Sequence, residues 1–237
     1  MSIPPTPPTT TRKQRRQQQQ LKLDFQATLT PSDTNSDHDS DCLTIRLALQ
    51  SSMAQPIRLL VCSIGNRGPY INTLHSAAHT VLDTLASSLG YPGFQRSAKH
   101  GNGLISAGGE FTLWQSSSLM NVSGVGVSRA WKSFVAESRN QETKLVIVHD
   151  ELELALGQVK VKAGTASPKG HNGLKSINEC LKGEAYTRIG VGIGRPLSRD
   201  REDVSAFVLR KMTGAEKRSV EGTVGAVEME LRRLVQG

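Results

Sequence analysis

Residues Ile57–Pro69 read IRLLVCSIGNRGP, an aliphatic run closed by the turn cluster Gly65-Asn66-Arg67-Gly68-Pro69. A short apolar run bounded by turn residues predicts a buried strand over 57–64. Directly after it, Leu74, Ala78, Val81, Leu82, Leu85 and Leu89 recur at helical spacing as far as Gly90, a residue suited to the left-handed position past a helix end. A strand that runs straight into a helix sets the expectation for everything downstream.

Outward from this unit, the pattern keeps switching between short β-rich runs and helical periods. Leu104–Ala107 and Phe111–Gln115 flank Gly108-Gly109 and predict a hairpin. A helix is expected from Ser123 to about Glu137, buried strands over 144–148, 158–162 and 186–193, and a helix over 172–181. Thr213 and Glu216 have capping-box spacing ahead of Val220, Val224, Val227, Leu231 and Leu234, which predicts one final helix. Strands alternating with helices, plus one hairpin, give the fold class: α/β, a single compact domain with a mixed β-sheet surrounded by helices.

The composition changes near residue 55. Upstream lie a Pro/Thr run, the basic Gln-rich 12–20 and the Ser/Asp-rich 32–41, none able to bury enough apolar surface to offset its ordering entropy. Residues 1–55 are therefore expected to be a disordered or targeting tail, and 56–237 the folded domain. The first 23 residues hold five basic and no acidic side chains, a flavour of organelle targeting, so the expected location is cytoplasmic or mitochondrial.

The whole chain carries 29 Lys and Arg against 21 Asp and Glu, a net +8, and residues 51–237 alone carry 23 against 16. The body itself is basic, which fits a phosphate-rich partner. No stretch approaches the ~18 apolar residues of a membrane span, so membrane association is not expected. Cys42, Cys62 and Cys180 form an odd, scattered set without a C-x-x-C pair, which argues against a disulfide framework or zinc site.

In α/β sheets ligands gather beyond the carboxyl ends of strands. There the sequence places Asn66 and His75 after the first strand, His149, Asp150 and Glu151 after the second, and His171 and Asn172 before a helix. Met120 and Asn121 stand at the start of another helix. A His, a carboxylate and several amides, without a Ser or Cys in a nucleophile elbow, suit activation of water better than covalent catalysis. Each residue alone has a bland reading: Asn66 as a turn residue, His75 as a surface His, Asp150 and Asn172 as caps, Met120 as core.

Taken jointly, these segments resemble the bacterial-type peptidyl-tRNA hydrolase family over about residues 57–235. Val61–Gly68, with Tyr70 and His75 following, is similar to the family's strand, G-N-P-G turn and T-R-H-N-A-G helix start. Leu119–Gly124 resembles F-M-N-x-S-G, His149–Leu154 with Gly157 resembles H-D-E-L-D-L-P-x-G, and Gly170–Leu174 resembles G-H-N-G-L. The resemblance implies hydrolysis of the ester between a peptide and the 3′-terminal ribose of tRNA, with no cofactor and no metal, by a monomer whose partner is peptidyl-tRNA. It implies His75 as general base, Asp150 as its orienting carboxylate, and Asn66 as the residue that discriminates N-blocked from free aminoacyl esters. Asn121 and Asn172 would bind the peptide backbone or the terminal ribose and phosphate, Met120 would wall the peptide channel, and Tyr70, Leu119 and His171 would complete the substrate-binding set. A non-catalytic RNA-binding protein on the same fold is the alternative, whereas a nucleotide-binding enzyme would need a G-x-G-x-x-G or P-loop pattern that the glycines here do not form.

The chain departs from the family pattern in places. Arg67 stands where Pro is usual, and Leu119 where an aromatic is usual. Gly190 occupies the place of an Arg that would share a clamp on the tRNA 5′-phosphate, so the clamp is expected to use Lys162 with Arg188.

Overall fold

The structure is a computed structural model and describes residues 57–139 and 141–236. The tail expected over 1–55 lies outside the described residues. Among the described residues seven strands form one mixed sheet in the order β2-β3-β4-β1-β5-β7-β6. In chain order they are β1 Arg58–Ser63, β2 Gln95–Arg96, β3 Leu104–Ala107, β4 Phe111–Gln115, β5 Thr143–Glu151, β6 Val159–Ala163 and β7 Thr187–Gly192. β1 lies at the centre, parallel to both β4 and β5, and β7 runs parallel to β5. The hairpin β3–β4 and the edge strands β2 and β6 supply the antiparallel pairings.

The aliphatic run of β1 explains its place. Leu59 and Val61 face one core while Leu60 and Cys62 face another, so both sides of the strand are dry, as the pleat requires of a central strand. The first face is covered by α1 (Ala77–Ser88), α5 (Gly214–Glu221) and α6 (Val224–Gln236), through Val81, Leu82, Val220, Val227 and Leu231. The second face is covered by α2 (Ser123–Ser138) and α3 (Asn172–Leu181), through Val127, Phe134, Leu174 and Ile177 packed with Trp114. Each such aliphatic or aromatic side chain contributes about 1.5–3 kcal/mol on burial.

Three expectations are corrected. The single final helix is two, α5 and α6, interrupted at Gly222-Thr223, where the Thr223 hydroxyl donates to the Val220 carbonyl at 2.7 Å. The capping box of Thr213 and Glu216 does form, at the start of α5. The strand expected over 144–148 runs on to Glu151, so His149, Asp150 and Glu151 are strand residues and not loop residues. A helix that the sequence pattern did not suggest, α4 (Arg201–Leu209), stands beyond β7.

The extension of β5 creates the site. β1 and β5 remain in register to Ser63 and Val148, after which β5 continues beside β7 alone, with Asp150 opposite Val191. The space that β1 vacates is filled by the 3-10 turn Leu74–Ser76, which carries His75 against β5.

Candidate active site

Asp150 is 2% exposed and receives a hydrogen bond on each carboxylate oxygen. His75 Nδ1 lies 2.9 Å from Oδ2, and His171 Nε2 lies 3.1 Å from Oδ1. Donor logic settles the tautomers. His171 is the N-cap of α3, where its Nδ1 accepts from the Leu174 backbone N–H at 3.4 Å, so its proton is on Nε2 and points to Asp150. His75 must likewise donate from Nδ1, which leaves a lone pair on Nε2 at the far edge of the ring.

Electrostatics agree with this geometry. Burial pulls the His75 pKa down, but the Asp150 charge and hydrogen bond outweigh it and raise the value above that of an ordinary histidine. Burial pushes Asp150 up, yet the charges and hydrogen bonds of His75 and His171 hold it well below the usual carboxylate range. His149 is buried and lowered to about 4, chiefly by desolvation and then by His171, so it stays neutral and donates Nδ1–H to the Asp150 carbonyl at 2.7 Å. Its ring meets that of His171 edge-on at 5.3 Å.

Asn66 is held from both sides. Its N–H donates to Ser76 Oγ at 3.1 Å, and its Oδ1 accepts from the Met120 N–H at 2.7 Å. Because Met120 supplies a donor, Oδ1 is the atom committed there, and the amide NH₂ is the end left for a ligand. A cleft of about 790 Å³ brings together Asn66, Tyr70, His75 and Leu119 with Met120 and Asn121. Asp150, His171, Asn172 and Arg188 line it as well.

Leu119 is the most open of these, at 56% exposure. Arg188 is its opposite, buried at 2% exposure, with Nη2 donating to the Ser167 carbonyl at 2.8 Å. Lys162 stands opposite Arg188 in the β6–β7 register but outside the lining, and its Nζ meets Glu151 Oε2 at 2.6 Å.

Sequence reasoning missed the wall built by α4 and the loop before it, where Arg199, Arg201, Val204 and Val208 line the cleft. The i, i+4 spacing of Val204 and Val208 after a basic run was the available signal. It also left His149 and Glu151 aside, although both line the cleft.

His75, Asp150 and His171 each offer one ligand atom within 4.8 Å of the others, the one such group among the described residues. Those three side chains already satisfy one another as two donors and one bidentate acceptor. The arrangement can orient and polarise a base whose Nε2 is left to take a proton, with amide donors nearby for a carbonyl substrate.

Three comparisons bear on the chain. Residues 60–237 match the model of the family described as Peptidyl-tRNA hydrolase. The probable peptidyl-tRNA hydrolase of Schizosaccharomyces pombe is 37% identical over 164 residues, 68% of this chain and 75% of that protein. The peptidyl-tRNA hydrolase of Frankia casuarinae is 38% identical over 176 residues, 72% of this chain and 86% of that one. Among solved structures, the Acinetobacter baumannii peptidyl-tRNA hydrolase is similar at a TM-score of 0.62 and 29% identity, covering 75% of this chain and 88% of that chain.

Proposed function

The chain belongs to the peptidyl-tRNA hydrolase family and hydrolyses peptidyl-tRNA, and from that premise we propose that His75, oriented by Asp150, activates the attacking water. The water oxygen bonds to the ester carbonyl carbon while His75 Nε2 takes its proton. The bond to the 3′-terminal ribose oxygen then breaks, and the imidazolium returns the proton to that oxygen. Asp150 stabilises the imidazolium as it forms and holds Nδ1 protonated. His171, donating to the second carboxylate oxygen, keeps Asp150 ionised and fixed in rotation.

The amides of Asn66, Asn121 and Asn172 supply donors for the peptide backbone, the ribose or the developing oxyanion. In this reading Asn66 separates N-blocked esters from free ones, and Tyr70, Leu119 and Met120 form the apolar side of the peptide channel. Lys162 supplies positive charge for the tRNA 5′-phosphate, with Arg188, opposite it across β6 and β7 and buried, adding charge at a distance and not as a direct ligand. Action as a monomer and without a metal is part of the same reading.

Among the described residues no helix is long and apolar enough to cross a membrane. The cytoplasm or the mitochondrion, where peptidyl-tRNA arises, is the place of action that fits.

The observation that carries the mechanism is the carboxylate of Asp150 shared between two imidazoles, with His75 Nε2 left over. Release of N-acetyl-aminoacid from N-acetyl-aminoacyl-tRNA in the presence of a chelator tests it. Turnover that persists with chelator and collapses in His75→Ala is expected. Turnover that needs a divalent ion would overturn the metal-free step, and a fully active His75→Ala would overturn the assignment of the base.

A further inference from the structure

Two segments carry the proposed peptide-binding groups on the β1–β4 side of the cleft. One is the turn after β1 with Asn66 and Tyr70, and the other runs from Ser116 through Leu119, Met120 and Asn121. They are joined at two points. Asn66 Oδ1 accepts from the Met120 N–H at 2.7 Å. One residue on, Arg67 Nε donates to the Ser116 carbonyl at 3.3 Å, and Arg67 Nη2 donates to Gln115 Oε1.

Arg67 itself does not line the cleft. It sits behind the wall, and its planar fork spans two acceptors on consecutive residues, a geometry that an ammonium cannot reproduce. Gln115 is completely buried, and its Nε2 donates onward to Asp83 Oδ1 at 2.7 Å and to the His79 carbonyl at 3.3 Å. Both of those acceptors belong to α1, whose first turn follows directly on His75. A line of hydrogen bonds therefore runs from the peptide wall, through Arg67 and Gln115, to the helix that follows directly on the base.

We propose that Arg67 is a positioning residue for the hydrolysis: it holds the Asn66 turn, the Leu119–Asn121 wall and the helix that follows directly on His75 in fixed relation, so that the peptide lies in register with the activated water. The inference rests on the reading of Asn66, Met120 and Asn121 as the peptide-binding side. Without the guanidinium, the buried acceptors of Gln115 and Ser116 lose their donor. A buried acceptor left unpaired is costly enough that the wall would shift to reach water.

The test is steady-state hydrolysis of N-acetyl-aminoacyl-tRNA by full-length variants whose folding is checked by circular dichroism. Arg67→Met is expected to raise KM at least five-fold while the pH midpoint of kcat, set by His75 and Asp150, stays in place. Arg67→Lys, with one donor group for two acceptors, falls between, and it carries the comparison if Arg67→Met does not fold. Gln115→Met should raise KM by a similar factor, and the double variant should go no further, because the two side chains form one brace. An unchanged KM in a folded variant, a displaced pH midpoint, or additive effects in the double variant would each overturn the proposal. Asn121→Ala separates the two levels of the argument: if it raises KM while Arg67→Met does not, only the brace fails, and if neither does, the wall reading fails with it.

Discussion

Removing His75 and neutralising Asp150 should leave different kinetic traces. His75→Ala deletes proton transfer, an effect of about 100- to 10,000-fold on kcat, and abolishes the rising limb of the pH profile. Wild-type kcat is expected to rise with pH through a midpoint above about 6.5, because the carboxylate holds the His75 proton and the base is free only once that proton leaves. Asp150→Asn removes that hold while burial remains, so the limb should move to lower pH as the plateau falls. A midpoint that moved upward would contradict the pairing, and stopped assays from pH 5 to 9 would read it. His75, Asp150 and Asn172 could be singled out from the sequence because they flank predicted elements in three of the four ordered motifs. The shared carboxylate could not, since ring orientation and tautomer follow from contacts between residues 75, 150 and 171 that no local pattern encodes.

At the level of elements, the pivotal contact is the crossing of α2 and α3. A Cβ on Gly124 would lie 2.1 Å from the Ser176 carbonyl oxygen and 2.9 Å from the Ile177 nitrogen, both backbone atoms of α3. Gly124→Ala should therefore cost about 1–3 kcal/mol in thermal or denaturant unfolding and raise KM, because α3 begins at His171 and Asn172. Unaltered stability together with unaltered KM would mean that the helices can part without disturbing the cleft. The sequence conveyed the central elements well, since β1, α2 and α3 have clean apolar periods. It misjudged elements whose fate depends on neighbours. The polar triplet 149–151 extends β5 only because β7 pairs with it there. The apolar spacing of Val220, Val224 and Val227 runs unbroken across a helix interruption that the Thr223 hydroxyl helps to make.

For the molecule as a whole, positive charge and modularity make separate predictions. KM for intact tRNA substrates should rise steeply with salt, whereas a 3′-terminal mimic without the 5′-phosphate should be much less sensitive. Parallel salt slopes for the two would argue that the basic surface does not meet the tRNA body. A chain starting at Met53 should keep the full kcat, because every proposed catalytic group lies within 60–237. A large loss would assign the basic 12–22 segment to substrate capture. The class of fold was readable from alternating periods, but the order of strands was not, because β1 finds its partners 52 and 85 residues away at Leu59–Phe111 and Arg58–Thr143. That order also has a consequence for biosynthesis. β6 precedes β7 in the chain, yet β7 is its only partner in the sheet, and the outer edge of β5 waits for the same strand. A chain arrested at Lys182 is therefore expected to leave 159–163 open to protease and to be inactive. Each copy emerging from a ribosome is accordingly a peptide still esterified to tRNA, a substrate by chemistry, well before its last strand arrives to make it an enzyme.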